Sequence, residues 1–197
     1  RVPMKPLEAI DPEVERNMAA LGYLGSAAER TGPLPDPKEH IRDLETIRDA
    51  LQLAHAGKPG VGAAMLREML GHSPSMVEGW AKLGDLLASI GDTNGASNAY
   101  REAVKASPRP PADLMLDAGN AALHADRLDE AENLARAAVG TVPTRGHELL
   151  ARVALERGDG AGAEREARAA TGPTPRPSAL VLVAEAVLQQ GRVRESL

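Results

Sequence analysis

The chain has 197 residues, 23 basic and 28 acidic side chains, a formal net charge of −5, no Cys, no Phe, one Trp and two Tyr. This balance lacks the basic footprint that phosphate neutralisation needs, which argues against a nucleic-acid partner, and the absence of Cys excludes disulfides, thiolate nucleophiles and Cys-ligated zinc. No apolar run approaches the ~18 residues of a membrane span; the longest candidate, Ala179 to Leu188, is broken by Glu185.

The core has to be built from Ala, Leu, Val, Met and Ile. Ala and Leu head the helix-propensity scale, whereas a β-sandwich would draw on β-branched and aromatic residues. An all-α fold is predicted. Arg1 is not an initiator Met and no apolar stretch follows it, so the chain reads as a fragment or processed product.

Asp11 to Leu24 is predicted helical, with Asp11 as N-cap, Pro12 at the first position and Glu13 and Glu15 complementing the helix dipole. Gly25 ends it. Ser26 to Lys38, with Gly32, Pro33, Pro35 and Pro37, has linker composition. Residues 1–40 therefore stand apart from 41–197.

From about residue 43 the chain becomes periodic. Its clearest unit spans 77–110: Trp80, Leu83, Gly84, Gly91, Ala96, Tyr100, Ala103 and Pro108. Trp80 and Leu83 lie one turn apart on one face of a first helix. Gly84 and Ala96 are expected small where two helices cross, Gly91 to make the turn between them, Tyr100 and Ala103 to continue the inner stripe, and Pro108 to stop the second helix.

One repeat earlier, Gly57 and Pro74 keep the phase over about 43–76, with Leu53, Leu66 and Met69 facing inward. The third unit, 112–143, carries Gly119, Ala131, Ala135, Ala138 and Pro143, with Asp126 at the turn. The fourth, 144–177, carries Gly158, Ala163, Ala167, Ala170 and Pro175. A partial fifth over 178–197 holds Ala184 and Gly191 and is expected to leave Val183 and Val187 seeking cover.

This pattern resembles the tetratricopeptide repeat, in which each helical hairpin buries its face only by stacking on the next. The resemblance implies an α-solenoid of antiparallel hairpins mediating protein contacts, and no cofactor. In that family the second, fifth, ninth, twelfth and thirteenth positions of each repeat line a concave groove. Here these are Glu78, Ala81, Asp85, Ala88 and Ser89, then Asp113, Leu116, Asn120, Leu123 and His124, then Arg145, Glu148, Arg152, Leu155 and Glu156. Chaperone-binding members clamp a peptide carboxylate with Lys and Asn at such positions. Only Asn120 matches, so that kind of recognition is not expected.

A second resemblance is carried by Leu21-Gly22-Tyr23-Leu24-Gly25 and by Leu34-Pro35-Asp36-Pro37-Lys38-Glu39-His40-Ile41. These are similar to the segments that lead bacterial sulfatase-like hydrolases into a repeat tail. The resemblance implies a parent polypeptide whose active site lies upstream, and export to the periplasm or beyond. It carries over no catalytic residue, because the family's Cys/Ser-x-Pro-x-Arg motif is missing.

Chemistry is otherwise sparse. The five His residues form no H-x-H or H-E-x-x-H arrangement. Asp92-Thr93-Asn94-Gly95 lacks the later ligands of a calcium loop, and Gly158-Asp159-Gly160-Ala161-Gly162 lacks the Lys-Ser/Thr of a phosphate loop; both read as turns. Alternating charges such as Glu164-Arg165-Glu166 read as a solvated face. Three roles remain open: peptide or protein binding in the groove, positioning of an upstream hydrolase, and head-to-tail self-assembly into fibres.

Overall fold

The computed structural model describes residues 37–172 and 176–191. The chain divides into two units, Arg1–Pro37 and Lys38–Leu197, and the description below concerns the second. The predicted helix at 11–24, the linker and both sulfatase-like segments except for the stretch from Pro37 onward, Pro175, and the part of the fifth repeat after Gly191 all lie outside the described residues.

The described residues form nine helices and no strand: α1 (Pro37–His55), α2 (Pro59–His72), α3 (Val77–Ser89), α4 (Thr93–Ala106), α5 (Ala112–His124), α6 (Leu128–Val139), α7 (Pro143–Glu156), α8 (Gly160–Thr171) and α9 (Pro177–Gln189). Their starts follow from local chemistry. Proline occupies the first turn of α2, α7 and α9, where its missing N–H costs nothing. Asp92 and Asp159 cap α4 and α8 by accepting from Gly95 N at 2.9 Å and Gly162 N at 2.8 Å.

The helices pair as hairpins through one repeated turn. Gly57, Gly91, Asp126 and Gly158 all have φ between 58 and 79°. The residue after each returns its N–H to the carbonyl five positions back: Lys58 to Leu53, Asp92 to Leu87, Arg127 to Ala122 and Asp159 to Ala154, at 2.8–2.9 Å. This satisfies carbonyls that a helix end leaves orphaned. Asp126 makes the same turn as its three glycine counterparts.

Small residues set the core. Ala63, Ala103, Ala131, Ala135, Ala138, Ala163, Ala167 and Ala170 are fully buried, so helix axes approach closely. Leu66, Met69 and Leu83 fill the space between hairpins one and two, while Leu53 is only half-buried. Trp80 is half-buried and its Nε1 donates to Pro74 O at 2.8 Å, joining α3 to the turn before it. Successive helices pack in chain order from α2 onward, and in addition α5 meets α7 and α7 meets α9. The first helices of the last three hairpins thus adjoin along one face, the geometry of a tetratricopeptide-type solenoid.

One packing expectation is sharpened and one changes. A Cβ on Gly84 would meet the ring of Tyr100, on the same second helix as Ala96, while a Cβ on Gly119 would lie 2.7 Å from Leu149 Cδ2. Glycine at this position makes room for a large side chain, from the same hairpin in one case and from the next in the other. At α9, Val187 is buried and Val183 half-buried; the exposed apolar groups there are Leu180, Val181 and Leu188. The helix turns its Val187 stripe onto α7 and α8 rather than outward.

A candidate binding face on the first helices

The inner face is built from the exposed sides of α1, α3, α5, α7 and α9, and a ladder of polar contacts crosses it. Arg145 Nη1 donates to Asp113 Oδ1. Two turns on, Arg152 Nη1 donates to Asn120 Oδ1 at 2.8 Å, while Asn120 Nδ2 donates to Leu116 O at 2.8 Å. Glu148 accepts from Ser178 Oγ at 2.7 Å and has Arg176 at 3.9 Å. Gln189 Nε2 donates to Leu155 O at 3.0 Å. The 32-residue spacing of Asp113–Arg145 and Asn120–Arg152 is the offset between these hairpins, so each contact joins matching positions.

Asp85 is held from both sides. Lys82 Nζ donates to it at 2.9 Å, and the Tyr100 hydroxyl, reaching from α4, donates to its other oxygen. Burial, then the bond to the Asp85 carboxylate, push the Tyr100 phenol well above its ordinary range. The bond to Asp85 raises Lys82 against the opposing pull of burial.

Of the residues placed in the groove by sequence position, Glu78, Asp85, Asn120, Leu123, His124, Arg145, Glu148 and Arg152 are exposed or half-buried on this face. Leu116 is not: it is 1% exposed and packs with Ala131, Ala135 and Leu149 in the core. The correction has a physical reason. Asn120 one turn later caps over it by bonding its carbonyl, and its side chain fills the space beneath α7.

Two features were missed. Asp117, one position beyond Leu116, lies on this face. Burial, and after it the like charges of Asp85 and Asp113, raise its carboxyl above the usual range against the pull of Arg145 and Lys82. The other is a cavity of about 420 Å³ between α1 and α3, lined by Leu44, Ile47, Arg48, Leu51, Gln52, His55 and Glu78. The register would have found it: counting back 34 from Glu78, Ala81 and Asp85 gives Leu44, Ile47 and Leu51. A larger cavity of about 580 Å³ opens between α1 and α2 beside Arg42, Thr46, Met65 and Met69, off the inner-face positions.

Among the described residues no group of three or more His, Asp or Glu is placed to hold a metal ion, and no helix is long and apolar enough to cross a membrane. The arrangement offers shape, charge and apolar contact.

The comparisons agree with the helical-hairpin fold. The family model described as tetratricopeptide repeat matches residues 81–145. No curated protein matches the chain in sequence. Among solved structures, MamA (residues 41 to the end) from Desulfovibrio magneticus RS-1 is 16% identical over 78% of this chain and 88% of its own, with a TM-score of 0.68. PilF of Pseudomonas aeruginosa is 19% identical over 81% and 75%, with a TM-score of 0.62. YrrB, described as a tetratricopeptide protein with an unusual peptide-binding site, is 15% identical over 77% and 79%, with a TM-score of 0.62. At such identities the likeness is one of fold: a tetratricopeptide-type α-solenoid.

Proposed function

We propose that this chain is a non-catalytic scaffold whose inner face takes a segment of a partner protein. The observation that supports it most is the register of the first helices. Groove positions of α5, α7 and α9 contact one another through Asp113–Arg145, Asn120–Arg152 and Glu148–Ser178, and such contacts restrain side chains before a partner arrives, which lowers the entropy cost of binding. The peptide-binding site named for YrrB favours the same reading by fold analogy. A photo-crosslinker at His124, compared with one at Arg165 on α8, tests it in source cells. Adducts are expected from His124; adducts from Arg165 alone would overturn the assignment of the face.

Two further readings have their own support. The segments around Leu21–Gly25 and Leu34–Ile41 favour a chain that serves as the tail of a sulfatase-like polypeptide, where the hairpins would position a hydrolase. Detection of this sequence in native extract as a free 20.7 kDa protein would count against that. The exposed Leu180, Val181 and Leu188 at one end and Ile41 and Val61 at the other favour head-to-tail association into filaments. A monomer in sedimentation up to millimolar concentration would count against that.

A further inference from the structure

The inner face is not uniform, and its α1–α3 part is distinctive. The cavity there has an apolar floor and rim: Ile47 is buried beneath it, Leu51 is half-buried and Leu44 is 41% exposed. Its far wall is Glu78. Arg48, the cation at its edge, is turned to Asp49 at 3.2 Å.

Around Lys82 and Asp117 the face carries an excess of negative charge. There Glu78, Asp85, Asp113 and Asp117 stand against Lys82 and Arg145, four acids to two bases. Both bases are already committed, Lys82 to Asp85 at 2.9 Å and Arg145 to Asp113. Among the described residues, Glu78 and Asp117 have no ion-pair partner. Lys82 lies within electrostatic reach of both, so the two acids flank one short stretch of the face. Asp117 resists ionisation because partial burial of its carboxylate and two neighbouring carboxylates disfavour its charge, a penalty that an incoming cation would relieve.

We propose that the α1–α3 part of the inner face docks a basic, amphipathic segment of a partner protein, seating a bulky apolar side chain between Leu44 and Leu51 and a Lys or Arg against Glu78 and Asp117. The inference rests on the inner-face reading above and adds the chemistry of the occupant. An acidic segment would bring a like charge toward two carboxylates that have no ion pair of their own, and a purely apolar one would leave those carboxylates desolvated without a partner.

The test is selection of a phage-displayed library of random 12-residue peptides on the full chain, with the winners measured by fluorescence anisotropy. Selected peptides are expected to carry net positive charge and at least one Leu, Ile, Met, Phe or Trp. Their binding is expected to weaken about tenfold or more with the pair Glu78→Lys and Asp117→Lys, to weaken with Leu44→Asp, and to fall as salt is raised. All these positions are on the surface, and a helical circular dichroism spectrum establishes that each variant is folded; Glu78→Gln with Asp117→Asn gives a milder second pair. Acidic or neutral winners that still depend on Leu44 would overturn the charge assignment and leave the inner-face reading standing. Winners indifferent to all the variants, or no winners at all, would overturn the proposal, and winners mapped to α6 or α8 would overturn the inner-face reading with it.

Discussion

A Cβ on Gly84 would lie 2.7 Å from both Cδ2 and Cε2 of Tyr100. The ring cannot swing away freely, because it is 8% exposed and its hydroxyl is bonded to Asp85 on the inner face. Packing inside the second hairpin is therefore tied to the position of a groove carboxylate. Gly84→Ala is expected to cost about 1–3 kcal/mol, the usual range for overpacking. The same substitution should cost less in a Tyr100→Leu background, and urea denaturation of the four proteins of that cycle measures the difference.

The turns give a second prediction, because Asp126 adopts φ 58° where the other hairpins have glycine. A Cβ in the left-handed region is strained. Asp126→Gly should therefore stabilise the fold by about 0.5–1 kcal/mol, and Gly91→Ala should destabilise it by about 1 kcal/mol or more. Denaturation midpoints at constant slope would show both.

Two groups make stability depend on pH in the same direction. Asp117 has a folded pKa raised above the ordinary carboxylate range, chiefly by partial burial, so the native state holds its proton more tightly than the unfolded chain does. Stability should fall as pH rises from about 4 through its folded value, and Asp117→Asn should remove that part of the slope and be the more stable protein at pH 7. The Tyr100 phenol is also raised, so its contribution is present below about pH 10 and lost as pH climbs further. Tyr100→Phe should flatten the alkaline limb in thermal melts taken across pH.

The ladder across the inner face should matter little for stability. Arg145 and Asp113 are 43% and 71% exposed in their side chains, and surface pairs of this kind contribute about 0–1 kcal/mol. Arg145→Ala is expected to stay within that range, whereas Leu149→Ala, which empties a site that is 2% exposed between α5 and α7, should cost about 2–5 kcal/mol. Calorimetric melting temperatures distinguish the two.

Much of the fold was legible because hairpin stacking repeats its demands. The positive-φ turn recurs at Gly57, Gly91, Asp126 and Gly158, and the small crossing residues recur at Ala96, Ala131 and Ala163, so phase alone locates helices. The site was less legible. Position in the repeat put Leu116 on the groove, but which way a residue at the rim of a stripe turns depends on its neighbours, and the gap beneath α7 takes this one inward. Asp117 was missed for the same reason in reverse. The role of Gly84 depends on a ring fifteen residues or more away, which no local pattern specifies. The α1 part of the face was within reach of the register and needed only the count carried back from Gly57.

The most direct measurement is amide chemical-shift mapping of the isotope-labelled full chain during titration with the tightest selected peptide. Shifts concentrated at Leu44, Leu51, Glu78, Lys82 and Asp117 would confirm the inner face as the binding surface. Shifts confined to Asn133, Arg136, Arg165 and Arg168 on α6 and α8, with the inner face silent, would contradict it.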